Sequence, residues 1–290
     1  MTEDLDLDCD LDLKPLAPKA AKYGPVKVKL AEKDGGQTLT LPTPKLSVTQ
    51  VTMYLKCPIQ YEQRYVLGRK TPPGIALIEG SANHAALEWQ NLYQISHERI
   101  APLKKVLEVF GDDLSTRVKE VPAEEWRKAA ENRNVVFNRG ALMLKTYLTT
   151  MAPKIKPVAA EQGFDMVVRG LPFQGFIDLV EEGALWDYKV VGPTSPYLRA
   201  SGAEHDLQLT AYSYATKVKR VGFIPLVKGR NTITPIATVR TRKDHVEFEE
   251  TVLRVAKAIS AGSFPPVAAG AWCCTPKFCG YYGKTCFRGH

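Results

Sequence analysis

The sequence predicts an α/β fold, a mixed β-sheet with helices packed on both sides. Three observations carry this expectation. Runs rich in β-branched and aromatic residues cluster between 158 and 191 and again after 221. Stretches with helical spacing lie before, between and after those runs. The 290 residues are 44% hydrophobic and 24% charged, enough to bury the core of one large or two small domains.

In chain order, residues 1–13 alternate Asp and Leu, and residues 14–45 are rich in Pro, Lys and Gly. The dense charge of residues 1–13, without an aromatic residue, favours disorder, and residues 1–44 are expected to be a largely disordered appendage ahead of a domain at 45–290. Within it, Val26–Leu30 and Thr38–Leu41, joined through Asp34-Gly35-Gly36, have the pattern of a small hairpin. Ser47 is placed as the N-cap of a helix ending near Lys56, with Cys57 and Pro58 just beyond. A second helix is expected after Ser81 to about Ile100, with His84 and Glu88 on one face. Residues 101–152 form a helical insertion: Leu103–Phe110, then Ala123–Met151 with an interruption at Asn138-Arg139-Gly140.

Strands follow at Val158–Arg169, Phe173–Val180, Leu185–Val191, Val221–Val227 and Ile233–Arg242. A helix at Ala203–Lys219 separates the third and fourth. Asp244 is placed as the cap of a last helix ending near Ala261, closed by Gly262.

The chemistry concentrates in the hairpin Phe173–Val191. With Glu182-Gly183 as a two-residue turn, Asp178 and Asp187 fall opposite each other, Cβ atoms roughly 5 Å apart. Lys189, two residues on, shares that face. Opposed carboxylates destabilise a sheet unless neutralised, and a hard divalent cation would do so. A solvated strand face is the plainer reading of the same residues. Glu161, and less directly Glu79 and Glu88, could add an outer acidic group to this site, and a surface role is the plainer reading of all three.

Six cysteines occur, four of them within residues 273–286, too crowded for a disulfide framework. Thiolates so grouped suit a metal, and their spacing leaves zinc and iron–sulfur both open. Cys9 is expected to be a spectator. The net charge is +8, and because residues 1–13 hold six acids and no base, the remainder carries +14. A basic body suits a polyanion such as DNA, or simply a soluble surface. No apolar run reaches the ~18 residues of a membrane span, and no secretory signal is evident, which makes a cytoplasmic location the default. The acidic stretch is a candidate autoinhibitor of a basic DNA channel. No phosphate-binding Gly-x-x-x-x-Gly-Lys-Ser/Thr loop is present, so any unwinding would need a helicase or recombination partner.

Five motifs stand in one order: Cys57-Pro58, Gly80-x-x-x-His84, Asp178…Asp187-Tyr188-Lys189, Gln208-x-x-x-Tyr212, and Cys274-x4-Cys279-x6-Cys286. Together they resemble the PD-(D/E)XK nuclease superfamily, and within it the RecB-like iron–sulfur exonucleases that include the CRISPR-associated Cas-four family and many phage exonucleases. The resemblance spans roughly residues 46–288. It implies a restriction-endonuclease-like sheet core and a metal-dependent DNA exonuclease acting on single-stranded ends, in recombination, repair or phage DNA metabolism. A phage-encoded protein working in a bacterial host fits that group.

The resemblance also implies roles. His84, Asp178, Asp187 and the Tyr188 carbonyl would hold Mg²⁺ or Mn²⁺, with Lys189 as the catalytic lysine. Cys57, Cys274, Cys279 and Cys286 would hold a 4Fe-4S cluster, Cys274 being preferred over its neighbour Cys273. Gln208 and Tyr212 would line the DNA path, Tyr212 by stacking on a base. Two other functions suit parts of the same pattern: a DNA-end binding or adaptation factor without its own cleavage, and a zinc-stapled nucleic-acid-binding protein.

Overall fold

The computed structural model describes residues 25–287. Its centre is a mixed sheet in which the strands run β3 (Leu46–Ser47), β5 (Leu171–Glu181), β6 (Ala184–Val191), β7 (Arg220–Val227) and β8 (Ile236–Val239), with β4 (Pro157–Val168) on the other edge of β5. The pairs β4–β5, β5–β6 and β7–β8 are antiparallel, while β3–β5 and β6–β7 are parallel. The α/β expectation therefore holds, with helices on both faces.

The β5–β6 turn falls where the sequence placed it. Glu181 pairs with Ala184, and Gly183 takes a φ of 76° that a side chain would resist. The ladder then stops at Leu179–Trp186, one step before Asp178 and Asp187. Beyond that point β3 takes over the same edge of β5, at Phe173 and Gln174. Residues 175–178 lie in the fork between the departing β6 and the arriving β3.

One face of the sheet is covered by the helical lobe: α3 (Ile75–His97), α4 (Leu103–Val118), α5 (Ala123–Ala129) and α6 (Arg133–Thr150). Their core joins Leu87, Phe110, Leu144 and Tyr147 to Trp186, Tyr188 and Ile224 of the strands. Helix α3 begins at Ile75, earlier than expected, because Pro72-Pro73-Gly74 ends the preceding loop and Gly74 takes the cap position. The insertion breaks at 130–132, where Ala130 is left-handed and Asn132 caps α6, and not at Gly140. Gly140 is a contact residue: a Cβ there would stand 2.1 Å from the Phe110 ring. Its absence lets α4 and α6 approach closely.

The other side holds α1 (Val48–Lys56), α8 (Leu207–Thr216) and α9 (Arg242–Ser260). Ser47 caps α1 as expected. The cap of α9 is Thr241, in a reciprocal capping box with Asp244 at the third position. The single helix expected over 203–219 is two, α7 (Ala200–Glu204) and α8, because Asp206 breaks it by capping the Gln208 and Leu209 amides. After α1, the short α2 (Pro58–Tyr61) runs on as a wider-wound turn to Val66.

The early hairpin forms, β1 (Val26–Lys29) with β2 (Thr38–Leu41), and it belongs to the folded body. Val28, Leu30, Leu39 and Leu41 are buried with α1 and α9. It braces the tight β4–β5 turn, where Arg169 and Gly170 both have positive φ. The Arg169 guanidinium there clamps Asp34 of the hairpin and Glu250 of α9. The appendage reading is thus corrected for residues 25–44, because alternating apolar residues gave the hairpin a face to bury. Residues 1–24, with the acidic stretch and Cys9, lie outside the described residues.

Candidate functional site

The fork between β5 and β6 opens into a cleft of about 450 Å³ lined by His84, Glu88, Arg117, Glu161, Asp178, Tyr188 and Lys189, among others. Asp178 comes from β5, Asp187 and Lys189 from β6, and His84 and Glu88 from α3 one turn apart. The Asp178 carboxylate replaces a rung of the ladder. Its Oδ2 accepts the Tyr188 N–H at 2.8 Å and lies 3.3 Å from His84 Nδ1. An extended residue sends its N–H and C=O to the same side, so the Tyr188 carbonyl faces this gap too.

Asp187 is sealed at 1% exposure. Its Oδ1 accepts from the Tyr212 hydroxyl at 3.0 Å, and its Oδ2 lies 2.6 Å from Lys189 Nζ. That contact makes Asp187 and Lys189 a buried ion pair. Burial pushes the Asp187 carboxyl up to about 6 against the pull of Lys189, with the Asp178 charge adding to the rise. Burial opposes the Lys189 charge, but Asp187 outweighs it and holds the ammonium firmly protonated. Burial likewise opposes the His84 imidazolium, and Asp178 raises it above its ordinary range.

Two carboxylates read from sequence as surface groups belong to the site. Glu161 falls between the Ala160–Leu179 and Gln162–Ile177 pairs of the β4–β5 ladder, level with Asp178, with a left-handed φ of 46°. Crowding by surrounding atoms, then the charges of Asp178 and Glu88, push it up to about 7. Glu88 is raised by burial and by Asp178. Cross-strand register was the signal that would have found Glu161. Arg117, from α4, had no sequence signal, because the lobe's packing brings it to the cleft. Glu79 is neither surface nor site: fully buried, it accepts from Arg139 at 2.6 and 2.7 Å and from Lys228 at 2.6 Å, tying α3 and α6 to the end of β7.

Gln208 and Tyr212 lie behind the acidic centre. Gln208 accepts from Lys189 Nζ at 3.1 Å and donates to the Tyr212 hydroxyl at 2.8 Å, and Tyr212 in turn donates to Asp187. Tyr212 is 1% exposed, so its ring has no face for a base, and the stacking role expected of it is corrected. What the pair does is hold Lys189 and Asp187 in position. Arg240, 1% exposed, donates to the Ala203 and Asp206 carbonyls and to Thr210, and so fixes the start of the helix that carries Gln208.

Among the described residues, no three His, Cys, Asp or Glu side chains converge as a ready-made metal cage. Magnesium does not require one, because it keeps several waters and takes one or two carboxylates with substrate phosphate. Asp178 on the cleft wall and the buried Asp187 near enough to feel its charge supply the one or two carboxylates such a cation takes.

The cysteine segment after α9 is a chain of turns packed on α1 and the loop after it. Tyr281 donates to the Arg69 carbonyl at 2.7 Å, and Lys56 Nζ reaches the Phe278 carbonyl at 3.4 Å. Cys57, Cys273, Cys274, Cys279 and Cys286 are free thiols. Burial raises the Cys57 thiol, and Cys279 and Cys273 close by add to the rise. The adjacent Cys273 and Cys274 differ in placement. Cys273 is the buried member of the pair, and its thiol turns to the Lys56 carbonyl beside Cys57 at 3.4 Å. No helix of the described residues is long and apolar enough to cross a membrane.

A family model described as the PD-(D/E)XK nuclease superfamily matches residues 45–283. Among solved structures, that of a candidate exonuclease from Eubacterium rectale is similar with a TM-score of 0.52 at 14% identity, over 77% of this chain and 84% of that one. At that identity the likeness concerns the fold. The crystal structure of SSO0001 gives 0.41 at 12% identity, over 82% of this chain and 84% of that one. No curated protein matches. The strand fork with its paired aspartates and lysine and the span of the family match agree: the chain belongs to the PD-(D/E)XK nuclease superfamily.

Proposed function

We propose that this protein is a metal-dependent DNA exonuclease of the RecB-like iron–sulfur type. It acts on single-stranded ends in recombination, repair or phage DNA metabolism, beside a helicase or recombination partner that unwinds the duplex. One observation carries the reading: Asp178, Lys189 and His84, from three elements, line one open cleft at the strand fork, with Asp187 buried beside Lys189. The nuclease domain is residues 45–290, with the insertion at 101–152 shaping one wall of the cleft and Cys57 with residues 272–288 forming a cluster module.

Asp178, Asp187 and the Tyr188 carbonyl would hold Mg²⁺ or Mn²⁺, with His84 beside them. When bound, that ion supplies Lewis-acid polarisation of the phosphoryl oxygens and a more acidic water. Imidazole suits Mn²⁺ better than Mg²⁺, so Mn²⁺ supports activity well if His84 ligates. Lys189 presents a fixed positive charge to the phosphorus-bound oxygens as negative charge grows on them. Gln208 and Tyr212 hold the Lys189–Asp187 ion pair in a fixed orientation, Gln208 through the lysine and Tyr212 through the carboxylate. Glu161 lines the same cleft and, with its carboxyl raised to about 7, is the group there that would give a proton to a leaving oxygen.

Cys57, Cys273, Cys279 and Cys286 would hold the 4Fe-4S cluster, which joins the two ends of the domain. The approach of Cys273 and Cys279 to Cys57 supports three members of that set.

The test uses protein purified without oxygen and end-labelled single- and double-stranded DNA, with Mg²⁺, Mn²⁺ or EDTA, beside Lys189→Ala. Metal-dependent shortening from the end of the single strand, lost in the variant, is the expected result. DNA binding without cleavage under every condition overturns the reading in favour of an adaptation factor.

A further inference from the structure

The cysteine module presents a surface that its role as a staple does not explain. Trp272 is 66% exposed and Phe278 45% exposed, and the two rings meet edge to face with centroids 5.4 Å apart. Lys56 Nζ lies 5.4 Å from the Trp272 ring centre and Lys277 Nζ 5.3 Å from that of Phe278. Leu55, on the exposed side of α1 next to Lys56, is 56% exposed. Isolated apolar residues on a surface need no explanation. Here two large rings stand together with an ammonium beside each.

The charge around them has one sign. Residues 264–287 contain no Asp or Glu, and neither do residues 63–78. Those two segments are joined by the Tyr281–Arg69 hydrogen bond, and between them they expose Arg64, Arg69, Lys70, Lys277 and Lys284. The second segment runs straight into α3, whose first turns carry the Leu77, Gly80 and Ser81 that line the catalytic cleft. A basic, aromatic surface therefore adjoins the rim of the acidic cleft along one continuous stretch of chain.

We propose that Trp272 and Phe278 form a stacking platform for the unpaired bases of single-stranded DNA, with Lys56, Lys277, Arg69 and Lys70 tracking its phosphates. Bases expose their faces only when unpaired, and every base has such a face. The platform thus selects single strands without selecting sequence, and it holds the strand next to the cleft. The proposal rests on the nuclease reading and adds the element that would confer strand preference.

The test uses full-length protein purified without oxygen, kept from cutting by EDTA. A fluorescein-labelled oligothymidylate and a duplex of equal charge are titrated by anisotropy. The Trp272→Ala/Phe278→Ala protein is expected to bind the oligothymidylate about tenfold more weakly or worse, with the duplex affected much less. Trp272→Phe, which keeps an aromatic face, restores most of the binding. Trp272 is the one exposed tryptophan of the four, so oligothymidylate should quench the wild-type emission and fail to do so in Trp272→Phe. Equal loss for single strand and duplex overturns stacking, as does unaltered oligothymidylate binding by the double alanine variant. A wild-type protein that neither binds nor cleaves DNA overturns the nuclease reading itself, a result distinct from either.

Discussion

The acidic cleft and the cysteine module are built in opposite ways. The cleft is assembled from long strands and helices whose own cores hold them in place. Asp187, Tyr188 and Tyr212 are each at most 1% exposed, and their hydrogen bonds interlock. The Tyr188 hydroxyl meets those of Tyr147 at 2.7 Å and the Asn91 amide at 2.9 Å, so even the back of the catalytic strand is fixed to the lobe. The module after Gly262 has turns but no helix or strand among the described residues, and only Cys273 and Tyr281 of its side chains are buried hydrophobics. One region is preorganised by packing, and the other is held by few buried side chains.

The sharpest way to break this contrast is Lys189→Ala. Activity on end-labelled DNA should fall by about 10³-fold, the scale of losing one charge-stabilising group, while circular dichroism stays native. Unchanged activity would remove the cleft from the chemistry. The reverse pattern belongs to Cys279→Ala, which should lose the absorbance near 400 nm expected of iron–sulfur thiolates and melt lower by on the order of 10 °C. A colourless variant of unchanged stability and activity would show the module to be self-supporting.

Smaller effects sharpen the account of the cleft. Tyr212→Phe leaves an oxygen of buried Asp187 without its donor, and should cost about 2 kcal/mol of stability in denaturant titration. It should also lower kcat about tenfold with KM little changed, because Tyr212 positions Asp187 and touches no substrate. A change in KM alone would return Tyr212 to the DNA path.

The smallest effect is a pH dependence. Crowding by surrounding atoms and neighbouring charges raises the solvent-exposed Glu161 to about 7, and burial raises Asp187 to about 6. The folded protein therefore keeps protons that the unfolded chain has already released, so stability present at low pH is lost as pH rises from the ordinary carboxylate range through 7. Without divalent metal, the melting temperature should drop by on the order of 5 °C between about pH 5.5 and about pH 8. Excess Mg²⁺ or Mn²⁺ should reverse the drop, and a flat profile without metal would refute the crowding of charges.

Much of the fold was legible because periodicity reports which faces are buried. The β5–β6 register followed from one Glu-Gly turn, and Ser47 announced the start of α1. The failures share a cause, since they concern contacts between elements. Gly140 looked like a helix break and is a point of close helix approach. Tyr212 shares a helix face with Gln208, and only the packed structure shows that this face points inward. Glu161 gained its place from a strand partner 17 residues away in sequence. Cys273 and Cys274 are indistinguishable as letters, and they separate once α1 fixes where Cys57 stands.

The rung that Asp178 supplies has a practical consequence. The Tyr188 amide proton is held by a carboxylate oxygen where a neighbouring strand would offer a carbonyl. Its nuclear magnetic resonance frequency therefore reports directly on the charge carried by that carboxylate. A single backbone signal becomes a gauge that moves when Asp178 gains a proton and moves again when it engages a cation, readable in protein that never turns over a substrate.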